Sequence, residues 1–407
     1  MHLLVISHTA HYLREGETVG WGPTVKEINW LARVFDRVTH LACFHPEPAP
    51  GSALPYDTDR IHFVGVPPAG GLTLKDKARV ILYGPQYFRA IIRNIGQADV
   101  IHVRCPGGVG MYGMLALSFV GRKYRWVKYA GNWVQAGNLP LSFAFQRWWL
   151  RTGLSRGPVT VNGRWENQPG HVFSFLNPSM TLADVQVARE QVFDKQLERP
   201  VRFVFAGRTA TAKGLGRCLE IFRSLLSHTG DIHLDILGDG PERPKFEQMA
   251  RETGISPKVS FRGWVPHNQM FDYLAHSHFI LLPSTHSEGW PKVLSEAMCY
   301  GVVPLASDVS AIPQILGQTK AGLALPADDI DGFVTAIISM LRDPLQWKKM
   351  SLAGIEAAPQ FTYERYLVAL DEMFRSAYGS SPLRQDVLAE LREQIKALWP
   401  ASPSGGR

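Results

Sequence analysis

Two cations follow an apolar segment in the second half of the chain, and their types suit the binding of a diphosphate. The segment 201–206 is mostly apolar, Gly207 lets the backbone turn closely, and Arg208 and Lys213 follow before a helix begins near Gly214. Arginine offers phosphate oxygens a planar fork of donors, and lysine offers a compact charge. An ordinary exposed loop is the alternative, because the glycines here lack the third member of a dinucleotide-binding fingerprint.

A second segment combines the start of a helix with two carboxylates. An apolar run ends near residue 283, and four residues then open a helix: Glu288, Gly289, Trp290 and Pro291. The backbone amides of the first turn are expected to be free to bind an anion, namely those of Lys292, Val293 and Leu294. Glu288 and Glu296 can each accept hydrogen bonds from two neighbouring hydroxyls, as on a sugar and on a ribose. The alternatives are chance spacing and a local pair between Glu296 and Lys292.

Short apolar runs that alternate with longer amphipathic segments predict the elements that position these residues. This pattern is typical of βα units with a parallel sheet. In the first half the predicted strands are 2–7, 38–44, 61–66, 100–104, 125–130, 158–162 and 172–176. In the second half they are 201–207, 232–238, 258–263, 278–283, 302–306 and 322–326. Because ligands of open parallel sheets bind outside the carboxyl ends of the strands, both candidate segments are expected at one sheet edge.

The strand pattern predicts an α/β protein with two doubly wound domains. We expect one domain at 1–190, a second domain at 191–360, and a hinge in the polar segment 181–200. Helical periodicity continues near 328–343, 345–356, 362–377 and 383–398. The last segments, within 361–407, are expected to pack back toward the N-terminal domain through their apolar face.

Composition excludes several classes of protein. The 407 residues are 45% hydrophobic and 19% charged, which is ordinary for a globular protein and unlike a disordered or fibrous one. The four cysteines form no C-x-x-C pair, so we expect neither a zinc module nor a disulfide framework, and we expect a reducing compartment. The first apolar run is too short for a signal peptide, and charged residues interrupt every candidate membrane span. A cytoplasmic location is the resulting prediction.

Positive charge is concentrated in the first half of the chain. Residues 1–185 contain 19 Lys and Arg against 11 Asp and Glu. Thirteen cations lie between positions 75 and 156, where the acidic residues are Asp76 and Asp99, and aromatic residues interleave with them. This chemistry predicts peripheral contact with anionic lipid at the inner face of the cell membrane. Nucleic acid selects the same chemistry but is not our expectation, and a solvated basic face without a partner is the alternative.

The two candidate segments belong to a set of motifs that resembles the donor-binding domain of family 4 glycosyltransferases, which are retaining enzymes of the GT-B fold. The matching motifs, in order, are Gly207-Arg208 with Lys213-Gly214, Gly238-Asp239-Gly240-Pro241, residues 259–263, Glu288 with Glu296, and Gly301-Val302-Val303-Pro304. The likeness covers residues 200–330. It implies two Rossmann-like domains that face each other across a cleft, with an acceptor-binding domain at 1–190 and a nucleotide-sugar-binding domain at 191–360.

The resemblance also implies roles for particular residues. Three are implied to be catalytic: Arg208, Lys213 and Glu288. Others are implied to surround the donor: Gly20, Gly22, Asn132, Gly207, Arg262, Gly289, Trp290, Pro291, Lys292, Val293, Leu294 and Glu296. In this scheme Arg208 and Lys213 hold the diphosphate, Glu288 contacts the transferred sugar, Glu296 holds the ribose, and backbone near Arg262 meets the base. The glycine-rich loop at 20–23 would approach the phosphates from the other domain.

The sequence departs from the family after the strand at 125–130. Members often carry a catalytic histidine there, whereas this chain has Gly131, Asn132 and Trp133. Either Asn132 supplies a hydrogen bond to the sugar instead, or another residue contributes, with His8, His11 and Arg104 as the candidates.

The resemblance predicts a retaining transfer from a UDP-sugar, with UDP-glucose as the candidate, to a polysaccharide or lipid-linked saccharide. No metal and no other cofactor is expected, since cations and amides would stabilise the departing diphosphate. Asp57-Thr58-Asp59 is interpreted as a turn rather than a metal site. The alternatives are a nucleotide-sugar epimerase of the same fold and a non-catalytic GT-B scaffold that binds polyanions.

Overall fold

The computed structural model describes residues 1–70, 74–121, 123–134, 140–285 and 289–399, with the side chains of 74–77 excepted. The chain divides into two compact units. One comprises Met1–Leu176 and Tyr363–Arg407, and the other comprises Asn177–Thr362. No described helix is both long enough and apolar enough to cross a bilayer.

The first unit is built on a nine-stranded sheet. Its strands are β1 (His2–Arg14), β2 (Glu17–Trp21), β3 (Arg37–Phe44), β4 (Ala53–Pro55), β5 (Ile61–Val66), β6 (Val100–Cys105), β7 (Tyr124–Tyr129), β8 (Val159–Asn162) and β9 (Val172–Phe175). Seven of them run parallel in the order β5-β3-β1-β6-β7-β8-β9. Strands β2 and β4 add an antiparallel extension to the far end of β1. The strand order reverses beside β1, so the switch point of this sheet lies between β1 and β6.

Helices cover this sheet with apolar faces. They are α1 (Gly22–Val34), α2 (Leu74–Leu82), α3 (Gly84–Ile95), α4 (Gly108–Leu117) and α5 (Leu141–Arg151). On α3, for example, Tyr87, Ile91 and Ile95 recur at helical spacing and are buried in the core against β1, β3 and β6.

The second unit holds a six-stranded, fully parallel sheet. Its strands are β10 (Val201–Ala206), β11 (Ile232–Leu237), β12 (Val259–Gly263), β13 (Phe279–Leu282), β14 (Val303–Ser307) and β15 (Leu323–Leu325). The spatial order is β12-β11-β10-β13-β14-β15. This is the doubly wound arrangement, with the switch point between β10 and β13. The central strands are apolar on both faces, as sheets covered by helices on both sides require.

Eight helices belong to the second unit within the described residues. They are α6 (Leu182–Val192), α7 (Leu215–Leu226), α8 (Arg243–Glu252), α9 (His267–His276), α10 (Lys292–Cys299), α11 (Ile312–Thr319), α12 (Ile330–Arg342) and α13 (Pro344–Ala357). Short 3-10 turns lie at Thr211–Lys213, Ser256–Lys258 and Ala358–Phe361. The predicted α/β class with two parallel-sheet domains is confirmed.

The segment expected to be a hinge, 181–200, contains a helix of the second unit. Thr181 and Asp184 form a capping box at the start of α6, and the next turns bury one side of the helix. Lys195 then donates hydrogen bonds to the carbonyls of Leu274 (2.9 Å) and Tyr300 (2.7 Å). The division between the units falls at 176/177 instead of the predicted 190/191. Many polar residues on the outer side of α6 made the segment resemble a linker.

The last two helices, α14 (Tyr363–Tyr378) and α15 (Gln385–Leu398), group with the first unit. Tyr363 stacks on Trp30 of α1 with ring centroids 5.4 Å apart. Tyr366 donates a hydrogen bond to the buried carboxylate of Glu27 at 3.1 Å. Both contacts are with α1 of the first unit, toward which residues 361–407 were expected to pack.

Candidate functional site

The carboxyl edge of the second sheet is the place where its loops converge. The switch point between β10 and β13 opens a crevice there in doubly wound sheets. Gly207 follows β10, Gly238 follows β11, and Pro283 follows β13. Gly238 also donates its amide to the carbonyl of Gly263 at 2.7 Å, which joins the ends of β11 and β12.

Two glycines allow the loops at this edge to meet backbone to backbone. A Cβ atom on Gly238, whose φ is +136°, would clash with the carbonyl of Gly207. A Cβ on Gly214, whose φ is +82°, would clash with the carbonyl of Pro283. Both positions therefore require glycine for steric as well as conformational reasons.

Arg208 and Lys213 lie together at this edge. Arg208 is exposed in the loop after β10, and Lys213 ends the 3-10 turn that leads into α7. Burial, aided by the positive charge of Arg208, lowers the pKa of Lys213 to about 8. Burial and a neighbouring cation disfavour the protonated form of this lysine, and a bound anion would favour it again.

Neighbouring loops hold the turn that carries Lys213. The amide of Thr211 donates to Glu242 at 3.1 Å, and the Thr211 hydroxyl donates to the other carboxylate oxygen at 2.5 Å. On the opposite side, the amide of Thr285 donates to the carbonyl of Ala212 at 3.2 Å. The turn is thus tied to the loop after β11 and to the loop after β13.

The start of α10 differs from the prediction in two respects. Pro291 is the residue before the helix rather than its first residue, and Lys292 is the first. The amide of Leu294 donates to the Pro291 carbonyl at 3.1 Å, so it is not free, because the first turn closes on the proline. The amide of Val293 has no acceptor among the described residues, which leaves it as a donor at this helix end.

Trp290 supports the loop from inside. Its side chain is 2% exposed, its ring stacks on Phe361 at 5.5 Å, and its Nε1 donates to Ser295 at 3.3 Å. The Trp290 ring is therefore part of the core, where a large apolar ring gains from burial, and the predicted contact of this residue with the donor would have to come from its backbone. Gly289 accepts a hydrogen bond from the amide of Ala311 through its carbonyl.

Glu296 lies in a buried contact with a residue that the sequence analysis did not single out. His267 donates from Nε2 to Glu296 at 2.9 Å, and the Glu296 side chain is 7% exposed. Glu296 makes this contact rather than the local pair with Lys292 considered as an alternative. His267 opens α9 directly after β12, and this position at a strand-to-helix junction was the only sequence signal for it.

Arg262 is turned toward the sheet. Its Nε donates to Asp235 on β11 at 2.8 Å, and the guanidinium lies 5.6 Å from the ring centre of Tyr273. The hydrogen bond to Asp235 raises the pKa of Arg262. Its side chain is therefore engaged within the second unit, and the contact of nearby backbone with a base stays a prediction.

The glycine-rich segment at 20–23 is not a loop. Gly20 and Trp21 end β2, and α1 begins at Gly22, so the strand runs directly into the helix. A Cβ on Gly20 would clash with the ring of His11, and a Cβ on Gly22 would crowd the Ser52 carbonyl. Local packing of the first unit is thus sufficient to explain both glycines.

Two of the substitutes proposed for the missing histidine, His11 and Arg104, are engaged in the interior of the first unit. His11 is fully buried, bonds to Tyr56 at 2.8 Å, and has its pKa lowered to about 4 by burial. Arg104 pairs with the buried Glu27 at 2.6 Å, and that carboxylate also binds Lys128 at 2.8 Å. These internal partners explain why His11 and Arg104 are unsuited to the predicted role.

Asn132 is also held locally, because its Oδ1 accepts the amide of Val134 at 3.2 Å and its side chain is buried. His8 differs from the other candidates, since it is exposed on β1 beside the switch point of the first sheet. A Cβ on Gly107, which follows β6, would crowd the side chain of His8.

The last two predicted features are Glu288 and the turn at 57–59. Glu288 lies outside the described residues. Thr58 accepts a hydrogen bond from the amide of Arg60 at 3.3 Å, which is a turn contact next to Asp57 and Asp59. Within the part of the chain that the structure describes, no three His, Cys, Asp or Glu side chains form a group that could hold a metal ion.

Sequence comparison connects the second unit with a known family. Residues 188–360 match the family described as "Glycosyl transferases group 1". The lipopolysaccharide 1,6-galactosyltransferase of Salmonella typhimurium is 32% identical over 148 residues, which cover 35% of this chain and 41% of that enzyme. The chain spans less than half the length of the curated relatives it matches.

Solved structures extend the similarity to nearly the whole chain. Sucrose-phosphate synthase from Thermosynechococcus elongatus is 18% identical, with a TM-score of 0.69 over 92% of this chain and 98% of that one. HepE from Anabaena, solved in complex with UDP, is 14% identical, with a TM-score of 0.65 over 92% of this chain and 100% of that one. At these identities the likeness establishes the fold. The chain therefore has the GT-B fold, and residues 188–360, within its second unit, are similar to the glycosyl transferases group 1 family.

Proposed function

We propose that the protein is a retaining hexosyltransferase that moves a sugar from a UDP-sugar, with UDP-glucose as the candidate, to a polysaccharide or lipid-linked saccharide. The main observation behind the proposal is that two cations, Arg208 and the half-buried Lys213, lie near each other at the switch point between β10 and β13. The amide of Val293, which has no acceptor among the described residues, lies at the start of the helix that follows β13. Two cations and a helix end at one sheet edge are suited to a diphosphate.

The relatives support the choice of substrates. The Salmonella relative is a lipopolysaccharide galactosyltransferase by name, and the Anabaena structure contains UDP. Both fit a donor that carries a uridine diphosphate and an acceptor that is a saccharide. GDP- and ADP-sugars are the donors to compare in a binding screen.

In the proposed reaction, the bond between the anomeric carbon and the diphosphate oxygen breaks first. The acceptor hydroxyl oxygen bonds to that carbon on the same face, and its proton passes to the departing phosphate. Arg208 and Lys213 would stabilise the charge that develops on the diphosphate. A well-placed donor of this kind contributes about 2.7 to 4 kcal/mol to the lowering of the barrier. This scheme requires no metal ion and no covalent nucleophile.

Transfer of label from a radiolabelled UDP-sugar tests the proposal. Arg208→Ala and Lys213→Ala are expected to reduce transfer by about 100-fold or more each. Arg223→Ala is the matched control, because Arg223 is an exposed cation in the last turn of α7, away from the loops at the carboxyl edge. Wild-type rates in both site variants would refute the assignment.

The products distinguish the alternatives. Label that stays on a free nucleotide sugar with changed stereochemistry would identify an epimerase. Absence of UDP binding in calorimetry, with the fold intact, would favour a scaffold.

A further inference from the structure

The first unit carries an exposed apolar surface that lies outside the site described above. Ten of the nineteen large hydrophobic residues that are exposed in the described part of the chain fall between positions 81 and 154. The helical face is defined by six of them, on or next to α3, α4 and α5: Phe88, Ile92, Phe119, Leu141, Phe145 and Trp148. Single exposed hydrophobic residues are common, but a concentration of this kind marks an interaction site.

Helices α3 and α4 belong to one layer on the sheet. Tyr112 of α4 donates a hydrogen bond to the carbonyl of Val80 at 3.2 Å, just before α3 begins. At the other end, Lys123, which follows α4, donates to the carbonyl of Ile95 at 2.8 Å, where α3 ends. The two helices therefore run side by side.

Hydrogen bonds connect α5 with both ends of α4. Gln146 accepts the amide of Gly107 at 3.2 Å, directly before α4, and Ser118 after α4 donates to the carbonyl of Leu154 at 2.7 Å. The exposed residues of the helical face thus belong to one helical layer rather than to scattered positions.

The middle helix of this layer has no polar side to present to water. Helix α4 contains no charged residue, and Met111, Tyr112 and Leu115 on this helix are only half-buried. A helix that is apolar all round is normally enclosed by protein or lipid.

The outer side of α3 combines apolar and cationic residues. Tyr87 and Ile91 are buried, whereas Phe88 and Ile92 are 43% and 45% exposed and alternate with Arg89 and Arg93. Among the described residues, neither arginine forms an ion pair. Arg104 and Lys128 of this region pair with the buried Glu27, but the exposed cations among its described residues still outnumber the exposed acidic residue Asp99; they are Arg79, Arg89, Arg93, Arg151 and Arg156.

We infer that the helical face docks on an anionic lipid surface. A second copy of the chain would bring like charges together, which disfavours that occupant. Nucleic acid would satisfy the arginines but would leave the apolar residues of α5, such as Leu141 at 88% exposure, in water. A lipid interface accommodates both, with apolar side chains below the headgroups and arginines among the phosphates.

Co-sedimentation of the full chain with vesicles tests the inference. Vesicles with about one-third phosphatidylglycerol are expected to bind the protein, with binding weakened by salt, and pure phosphatidylcholine to bind it poorly. Arg89→Glu with Arg93→Glu is expected to lower the apparent affinity about tenfold or more, and Phe88→Ser with Ile92→Ser to lower it as well. Thermal unfolding of each variant verifies that its fold is intact.

Matched controls lie in the second unit. Val187 and Phe193 are 49% and 75% exposed, so Val187→Ser with Phe193→Ser removes exposed apolar groups elsewhere. The control is expected to bind vesicles as the wild type does. Failure of the wild type to sediment with anionic vesicles, or an equal loss in the control, would overturn the inference. So would variants of the face that abolish dimer formation or nucleic-acid binding while leaving vesicle binding unchanged.

Discussion

Lys213 is a residue of the candidate site whose charge depends strongly on its surroundings. Its lowered pKa, about 8, means that it is mostly protonated at pH 7 and loses its charge as the pH rises through 8. Binding of a diphosphate above that pH must first restore the proton. We expect the affinity for UDP to be constant below pH 8 and to fall by up to about tenfold per pH unit above it. Calorimetry with UDP between pH 6.5 and 9.5 measures this.

Lys213→Arg provides the control, because an arginine remains charged throughout this range. Its UDP affinity is expected to stay flat above pH 8. A decline in this variant as steep as in the wild type would mean that another group causes the effect.

His267 is expected to position Glu296 rather than to contact reacting atoms. Removal of the hydrogen bond in His267→Ala should release the carboxylate that the proposal assigns to the ribose. A hydrogen bond to a charged group is worth about 1.5–3 kcal/mol, so KM for the donor should rise about tenfold or more with kcat little changed. His267→Asn restores an N–H donor and should recover most of the loss. His276→Ala, at the exposed end of the same helix, should change neither constant.

The candidate site could be predicted in part at the residue scale. Arg208 and Lys213 were accessible to sequence analysis because each follows a strand and a close glycine turn. His267 was not, since its partner Glu296 is distant in the chain and only the fold brings the two together. Trp290 was assigned to the ligand because a loop position does not reveal whether a ring points inward.

Among the elements, the junction between the 3-10 turn and α7 depends on Gly214. Gly214→Ala introduces a Cβ against the Pro283 carbonyl at a positive φ. We expect the free energy of unfolding to fall by about 2–4 kcal/mol, together with a loss of UDP affinity. Urea denaturation measures the first quantity.

Gly254→Ala separates the effect of a positive φ from the effect of the clash with neighbouring backbone. Gly254 has a similar φ of +72° but no atom within 4 Å of the added Cβ. Gly254→Ala is expected to lower the free energy of unfolding by only about 1 kcal/mol and to leave the UDP affinity unchanged. An equal loss in the free energy of unfolding of both variants would contradict the steric explanation.

Helix α1 is joined to its surroundings by the carboxylate of Glu27. This fully buried group binds Arg104 of β6, Lys128 of β7 and Tyr366 of α14. Glu27→Gln would leave two cations in the interior without their charge partner, so we expect a destabilisation of about 3–5 kcal/mol. Glu17→Gln, at an exposed position on β2, should have little effect. Hydrogen exchange that is unchanged in β6, β7 and α14 of the Glu27 variant would contradict this account.

At the scale of the whole molecule, the same doubly wound order occurs twice. All thirteen predicted strands are present, because buried parallel strands appear as short apolar runs. The antiparallel strands β2 and β4 were missed, since they are short, and β4 is only three residues long. The division between units was misplaced because α6 looks polar along most of its surface, while its capping box and buried side are local features.

The central claim is that a diphosphate binds at the edge between β10 and β13, and calorimetry with UDP tests it most directly. The wild type and Arg223→Ala are expected to bind UDP with the same affinity. Arg208→Ala and Lys213→Ala are each expected to weaken binding by about 1.5–3 kcal/mol, which is at least tenfold. Unchanged UDP affinity in both site variants, with their folds intact, would contradict the claim.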